Sequence, residues 1–214
     1  MTLGTGFGGG IVSNKKLLIG DCICAAEVWT MSNRMDTEIN NEEGISIRAV
    51  KRFYSEFAKI SFNDVPEPKQ IYEIAKGKLA GDSIAAEKAF KTMGNFLGDT
   101  IANLITITDG IIVIGGGISG AKDIIAPGIM EQFSHRFKTH AGGNIPRLTH
   151  QVYYLNDELQ MAEFLKNESV EILVPGSDQK LYFNPKPKTG FVFSKYNTSD
   201  MINLGAYHFA VKNL

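Results

Sequence analysis

Two glycine-rich segments are the parts of this chain best suited to bind a ligand through the backbone. The first spans residues 4–9 (GTGFGG), and the second spans residues 115–117 (GGG) with a serine two positions later. Glycines leave backbone N–H groups accessible, so that these groups can approach phosphate oxygens or a ribose closely. Either segment alone is equally consistent with a tight turn, because glycine is common in turns. Together they favour nucleotide binding, and the candidate contact residues are Gly4, Thr5, Gly6, Gly8, Gly9, Gly115, Gly116, Gly117 and Ser119.

Two familiar nucleotide motifs are excluded by the context of these glycines. Residues 4–9 match the spacing GxGxxG, but they lead into a predicted hairpin, whereas a Rossmann site requires a helix at that point. The chain also lacks the Gly-Lys-Ser or Gly-Lys-Thr of a P-loop. The glycines therefore predict a nucleotide site of another kind.

Hydrophobic periodicity predicts the elements that position these glycines. Residues 110–120 form an apolar run that ends in glycines, and Ser119 is placed to cap a helix that continues to Phe133. Strands that alternate with helices favour an α/β sheet. The further predicted elements are a hairpin at 10–20 with Asn14 at positive φ, helices at 45–57, 71–81, 86–104, 157–167 and 199–211, strands at 149–155 and 170–174, an N-cap at Asp82 and a loop at 176–188.

Small residues recur on one side of the longest predicted helix. Gly94, Gly98 and Ala102 are spaced four residues apart, so they lie on one line along the helix. Each glycine costs about 1 kcal/mol of helix propensity relative to alanine, which suggests a packing reason for its presence. The spacing predicts close packing against a second helix rather than contact with a ligand.

Charge and composition narrow the class of partner. Lys and Arg total 22 and Asp and Glu total 23, which leaves a formal charge of -1 and no sequence-wide attraction to nucleic acid or anionic lipid. No apolar run approaches the roughly 18 residues of a membrane span, and the first residues do not form a secretory signal. We therefore expect a globular protein of the cytoplasm with a small-molecule ligand.

Three segments of the chain resemble the ROK group of sugar kinases and repressors, within the actin, Hsp70 and hexokinase superfamily. Residues 3–12 (LGTGFGGGIV) look like the second phosphate motif of the family. Residues 81–121 look like its long helix followed by its adenosine motif, and residues 204–210 (LGAYHFA) resemble its terminal helix. The middle segment is the most specific, because its length, its order of elements and its glycine ending all agree with the family.

The resemblance implies an α/β domain of the ribonuclease-H-like, actin-like ATPase type, with a mixed sheet and helices on both faces. Residues 1–214 would be the C-terminal half of a two-domain, glucokinase-like enzyme that clamps ATP with Mg²⁺ and phosphorylates a hexose. The N-terminal domain, which brings the general base in the family, is absent here, so we expect no turnover from this chain alone. The terminal helix, 199–214, would belong with that domain and should expose an apolar stripe through Leu204 and Tyr207.

The sugar-binding motif of the family is only partly present. Residues 26–30 (AEVWT) stand where the family has Gly-Glu-(Ile/Leu)-Gly-His, so the resemblance implies that Glu27 accepts hydrogen bonds from a sugar. A solvated surface carboxylate is the alternative for this residue. Thr30 stands at the histidine position, and Glu42 stands near the family's second substrate glutamate. Trp29 is consistent either with stacking on a sugar or with core or interface packing.

The cysteine-rich zinc loop of the family is missing from this chain. Residues 31–43 contain neither cysteine nor histidine. Cys22 and Cys24 are too close in sequence for a mutual disulfide and supply only two of the four ligands of a zinc site. The histidines show no metal-ligand spacing. We therefore expect no zinc and no other metal ligands in the protein itself.

Two other functions remain open at this point. A ROK-like sugar sensor or repressor would fit the altered sugar motif, although it would have no need to keep both glycine segments intact. A dimerisation module would fit the resemblance as well, because this half of ROK proteins commonly carries the subunit interface. We accordingly expect a homodimer in either case.

Overall fold

A computed structural model describes residues 1–212 of the chain. Its strands are β1 (Thr2–Leu3), β2 (Phe7–Gly8), β3 (Val12–Ser13), β4 (Lys16–Leu17), β5 (Ser32–Asn33), β6 (Asp36–Asn40), β7 (Ile112–Ile114), β8 (Arg136–Lys138), β9 (Asn144–Pro146), β10 (Gln151–Tyr154), β11 (Val170–Leu173), β12 (Lys180–Phe183) and β13 (Lys188–Phe193). Its helices are α1 (Asn41–Gly44), α2 (Ile47–Ala58), α3 (Pro68–Ala75), α4 (Ser83–Thr108), α5 (Lys122–Phe133), α6 (Glu158–Leu165) and α7 (Thr198–Lys212).

The central sheet brings together strands that are far apart in sequence. Strand β13 lies between β7 and β10 and runs parallel to both. At the outer side of β7, Thr2 of β1 pairs in parallel with Gly115, and β2 pairs antiparallel with β1. The sheet is therefore mixed, and it carries both glycine-rich segments at one edge.

Helices cover both faces of this sheet. On one face, the ring of Phe133 in α5 packs against that of Phe191 in β13, with centroids 5.8 Å apart. On the opposite face, Phe164 of α6 packs against Tyr153 of β10, with centroids 5.9 Å apart. These contacts confirm the predicted α/β class, because a sheet buried on both sides is typical of it.

Helices α4 and α5 pack unusually closely, as the spacing of small residues predicts. A Cβ atom at Gly94 would lie 2.4 Å from the Ile125 carbonyl oxygen, and one at Gly98 would lie 2.7 Å from that of Ile129. On the facing helix, a Cβ at Gly128 would lie 2.4 Å from the Lys91 carbonyl oxygen. Glycine is thus required on both helices for the backbones to approach this closely.

The other helix and turn predictions hold, with shifts of boundary at α3 and α4. The hairpin at 10–20 is confirmed, and Asn14 and Lys15 adopt φ values of 51° and 62° at its turn. Asp82 caps α4 by accepting a hydrogen bond of 2.9 Å from the Ala85 N–H. Helix α3 begins earlier than predicted, because Pro68 is favoured in the first turn of a helix, and it ends at Ala75.

The predicted loop at 176–188 is correct at 176–179 and 184–187 and wrong between and after these residues. Residues 180–183 form β12, which pairs antiparallel with β11, and Lys188 already begins the central strand β13. Pro185 and Pro187 lie in the loop 184–187, as predicted, while pairing with β11 and with β7 and β10 makes strands of the residues on either side. Gly190 in β13 also lowers the strand propensity of this segment. The fold explains this glycine, because a Cβ there would lie 2.7 Å from Leu155 Cγ.

The last helix is exposed along its described side chains. Leu204 is 58% exposed and Tyr207 is 69% exposed, which agrees with the predicted apolar stripe. The last two residues of the 199–214 segment lie outside the described residues. No helix within residues 1–212 has both the length and the apolar content that a membrane crossing requires.

Candidate functional site

The two glycine-rich segments are neighbours in the fold, although about 110 residues of sequence separate them. The Leu3 N–H donates to the Gly115 carbonyl at 2.8 Å, and the Gly115 N–H donates to the Met1 carbonyl at 2.9 Å. Gly116 then turns away from the strand with a φ of 102°, which side chains rarely adopt. The fold therefore brings the predicted nucleotide-binding residues to one place.

The first glycine segment is a compact turn held against α2. The Gly4 N–H donates to the Gly6 carbonyl at 3.0 Å, which closes the turn. The Ile47 N–H in the first turn of α2 donates to the Gly4 carbonyl at 2.9 Å. Thr5 is exposed at the tip of this turn. The backbone of the segment is thus positioned by a helix terminus and by β7.

Six of the seven glycines in the two segments fall into two groups. In the first group a side chain would collide with the fold: a Cβ would lie 2.6 Å from Glu42 at Gly6, 2.9 Å from Val28 at Gly9 and 2.1 Å from Leu3 at Gly116. In the second group, a Cβ at Gly4, Gly8 or Gly117 would have no atom within 4 Å, and none of the three has a positive φ. Neither packing nor backbone conformation explains glycine at these three positions.

The predicted helix-capping role of Ser119 is wrong. Ser119 lies inside a short 3-10 turn, Gly117–Ala121, and α5 begins only at Lys122. The Ser119 hydroxyl donates to the Gly116 carbonyl at 2.6 Å, so it stabilises the glycine turn itself. The extra turn separates the serine from the first N–H groups of the helix.

Glu42 supports the first glycine turn. One of its carboxylate oxygens, Oε2, accepts a hydrogen bond of 3.0 Å from the Phe7 N–H. The other, Oε1, lies 3.8 Å from the guanidinium of Arg48. Glu43 raises the pKa of Arg48 through its own hydrogen bond and charge, so Arg48 stays charged beside Glu42. The contact with Phe7 joins α1 to the first glycine turn.

We expect Glu42→Ala to lower the free energy of unfolding by about 1.5–3 kcal/mol, because it leaves the half-buried Phe7 N–H without its charged acceptor. Glu42→Gln keeps an acceptor oxygen and should cost less than half as much. Urea unfolding of both variants would measure the difference. Glu43→Ala, which removes only an exposed ion pair, is the control; equal losses for all three variants would contradict the role of Glu42.

The segment that carries Glu27 is a short turn at the surface. Val28–Thr30 form a 3-10 turn in which Val28 is buried, while Glu27 and Thr30 are exposed. The Thr30 hydroxyl donates to the Glu27 carbonyl at 2.8 Å, and the Trp29 indole N–H donates to the Glu27 carboxylate. Ala26 precedes the turn with a φ of 66°, a conformation that glycine adopts more easily.

A buried network of side-chain amides anchors the segments that carry Glu27 and Glu42, and the sequence alone does not predict it. Asn41 is fully buried between them, and its amide donates to the Val28 carbonyl at 3.0 Å. Its carbonyl oxygen accepts from Asn33 at 2.7 Å and from Thr100 of α4 at 3.0 Å. An asparagine oxygen has two acceptor sites, so both are used. No local sequence signal distinguishes these residues from turn or surface polar residues.

A cluster of charged side chains around the buried Asp99 also holds the β5–β6 hairpin. The Asp99 carboxylate is 1% exposed and lies 2.6 Å from Arg147 Nη1 and 3.2 Å from Arg34 Nε. Arg34 also donates to Gln132 of α5. Partial burial and the charges of the two arginines lower the pKa of His135. The group joins the β5–β6 turn to α4 and α5.

Metal ligands are not clustered in the described part of the chain. No group of three His, Cys, Asp or Glu side chains among residues 1–212 is placed to hold an ion. Cys22 and Cys24 are exposed thiols, and the Cys24 sulfur donates to the Cys22 carbonyl at 3.2 Å. The segment at 31–43 forms the hairpin β5–β6, which the amide network holds in place.

A cavity of about 730 Å³ adjoins the first glycine segment only. Its lining includes Gly9, Gly10 and the N-terminal part of β7, but none of the three glycines at 115–117. Small-molecule sites usually enclose most of their ligand. The glycines at 115–117 therefore lie outside this cavity.

Comparison with known proteins gives the family. The model of the ROK family matches residues 1–153. The fold is similar to that of a glucokinase from Parabacteroides distasonis, with 38% identity and a TM-score of 0.87 over 100% of this chain and 57% of that one. A ROK family glucokinase from Streptomyces griseus, solved with glucose and AMPPNP, shares 26% identity and a TM-score of 0.53 over 62% of this chain and 48% of that one.

A ROK family protein from Streptococcus pneumoniae, solved with sucrose, shares 25% identity and a TM-score of 0.50 over 61% of this chain and 44% of that one. No curated protein matches the chain. The chain thus spans little more than half the length of the Parabacteroides glucokinase and less than half of the other two. The family model covers most of the sequence, including both glycine-rich segments, and the chain belongs to the ROK family.

Proposed function

We propose that this chain is the ATP-binding, C-terminal half of a ROK-type carbohydrate kinase that phosphorylates a hexose such as glucose. Its domain is of the ribonuclease-H-like, actin-like ATPase type, and an N-terminal domain completes the cleft. The match to 57% of the Parabacteroides glucokinase supports this division. Phosphoryl transfer depends on positioning and charge stabilisation from both sides of the substrate, so the half alone should not turn over.

The observation that carries the proposal is the open space at Gly4, Gly8 and Gly117. Glycine at these positions serves neither packing nor a positive φ, and no atom lies within 4 Å of the place of a Cβ; the N–H of Gly4 itself is committed to the Gly6 carbonyl, so its neighbours would supply the donors there. Backbone N–H groups that are not screened by a Cβ can approach the phosphates of a nucleotide. Mg²⁺ keeps several waters and binds through phosphates and one or two carboxylates, so it would enter as the complex with ATP.

The sugar side of the proposed site is formed by the exposed turn at 27–30. Glu27 offers a carboxylate to sugar hydroxyls, and Thr30 occupies the position of the family histidine. Glu42 adds one oxygen while its other oxygen holds the first glycine turn. This arrangement would couple the sugar side to the phosphate side through a single carboxylate.

Calorimetric titration with Mg-ATP tests the nucleotide site. We expect the wild-type chain to bind, and Gly4→Ala and Gly117→Ala each to weaken binding at least about tenfold, equivalent to about 1.4 kcal/mol. Both variants should fold normally, since the added methyl group meets no atom. Gly205→Ala, in the exposed helix α7, is a matched control that should bind like wild type. Unchanged affinity in the two site variants would contradict the proposal.

A sugar-sensing regulator or a dimerisation module without catalysis is the alternative function. The exposed apolar side chains of α7, including Leu204 and Tyr207, favour a contact with another domain or a second copy. Sedimentation with and without Mg-ATP separates the functions, because an interface module should ignore the nucleotide. Sugar binding without nucleotide binding would favour the sensor.

A further inference from the structure

Trp29 is placed beside the candidate sugar carboxylate, although the family motif has glycine at this position. The indole is 39% exposed, while its neighbour Val28 is buried and anchors the turn. The Trp29 Nε1–H donates to Glu27 Oε2. Trp29 is therefore not a core residue, and its only described polar contact is with the residue that would bind the substrate.

The geometry points to Trp29 as a substrate-contacting residue that selects a pyranose ring. This inference rests on the proposed function. The exposed face of an aromatic ring is a low-entropy, amphipathic platform, and such rings commonly line small-molecule sites. A pyranose presents C–H groups on its faces and hydroxyls around its rim, so it can cover the indole while its hydroxyls reach Glu27.

The hydrogen bonds already made within the turn at 27–30 determine which polar groups the ligand must supply. One carboxylate oxygen of Glu27 accepts from the indole, which leaves Oε1 as the main acceptor for a ligand. The Thr30 hydroxyl proton is committed to the Glu27 carbonyl, so the Thr30 oxygen can only accept. The subsite therefore consists of two acceptors beside an aromatic face. It fits a ligand that donates hydrogen bonds from hydroxyls and also has an apolar face.

This chemistry separates a cyclic sugar from a linear polyol. Glucose and sorbitol both have enough hydroxyls to donate to Glu27 and Thr30. Only glucose in its ring form holds its C–H groups on one rigid face that can pack on the indole. We expect glucose to bind at least about tenfold more tightly than sorbitol, since only the ring makes the aromatic contact and it is preorganised.

The test uses the fact that Trp29 is the single tryptophan of the chain. Glucose titrations would be followed by tryptophan emission and by calorimetry on the same preparation. We expect the emission to change and to saturate with the calorimetric Kd. Trp29→Ala should weaken glucose binding at least about tenfold, whereas Trp29→Phe, which keeps a ring but loses the N–H donor, should weaken it less. Circular dichroism would verify that the variants remain folded.

Each outcome bears on the inference separately from the proposed function. Glucose binding by calorimetry with no change in emission, or with full affinity in Trp29→Ala, would overturn the role of Trp29 and leave the kinase proposal intact. Equal affinity for sorbitol would also overturn it. Mg-ATP binding without any glucose binding would overturn this subsite while supporting the nucleotide half. If neither Mg-ATP nor glucose binds, the proposed function is overturned together with the inference.

Discussion

Gly116→Ala should lower the free energy of unfolding by about 3 kcal/mol or more, the largest effect of any single methyl group in the glycine segments. The added Cβ would lie 2.1 Å from the Leu3 carbonyl oxygen and 2.5 Å from the Leu3 nitrogen, and both are backbone atoms in a hydrogen-bonded strand. The φ of 102° adds conformational strain for any residue except glycine. Relief would require β1 to separate from the edge of β7.

Thermal unfolding followed by circular dichroism measures this effect. For a chain of this size, 3 kcal/mol corresponds to a fall in Tm of roughly 6–12 °C. Gly117→Ala is the matched control one residue away, since its Cβ meets no atom and its φ is not positive; it should change stability by less than about 1 kcal/mol. Equal stability of the two variants would show that the close approach to Leu3 does not require glycine. A Gly116 variant is consequently unsuitable for testing nucleotide contact.

Asp99→Ala should lower the free energy of unfolding by about 3–5 kcal/mol. The carboxylate is 1% exposed and compensates Arg147, whose side chain is 4% exposed, and the partly exposed Arg34. Without it, a guanidinium remains buried without a counter-charge, and the Arg34 N–H loses its acceptor at 3.1 Å. The turn of the β5–β6 hairpin at Arg34 should loosen from α4, while the amide network still holds Asn33 and Asn41.

The control for Asp99 is a second carboxylate on the same pair of helices. Glu131 of α5 pairs with Lys91 of α4 at 3.1 Å, but both side chains are about half exposed. Glu131→Ala should therefore cost less than about 1 kcal/mol. Urea unfolding of the two variants at one pH compares them directly. If Asp99→Ala costs no more than Glu131→Ala, the buried charge group does not hold the hairpin in the way we describe.

Local features were predictable because their causes lie within a few residues. The positive φ of Asn14, the N-cap at Asp82 and the line of small residues at Gly94 and Gly98 depend on turn chemistry or on helical spacing. The ROK resemblance also rests on contiguous motifs, which survive without knowledge of the fold. The prediction for Ser119 is wrong because a serine before a helix usually caps it, whereas the intervening 3-10 turn has no separate sequence signal.

Long-range features were not predictable from the same information. The strand at 188–193 is defined by pairing with β7 and β10, and its glycine is explained only by Leu155 on a neighbouring strand end. The amides of Asn33 and Asn41 resemble ordinary turn residues until α4 places Thr100 beside them. Side chains of these types acquire a role only from partners that the folded chain brings within hydrogen-bond distance.

The amino-acid sequence alone was sufficient for the family, the α/β class and the identity of the candidate glycines, because these depend on contiguous motifs and periodicity. The folded structure was needed to distinguish the glycines that packing requires, such as Gly116 against Leu3, from those that leave open space, such as Gly117. It was also needed to show that the Trp29 indole N–H donates to Glu27 and that Glu42 accepts from the Phe7 N–H. The physical reason is that steric contact and hydrogen bonding depend on distances between atoms, which the spacing of residues along a chain does not specify.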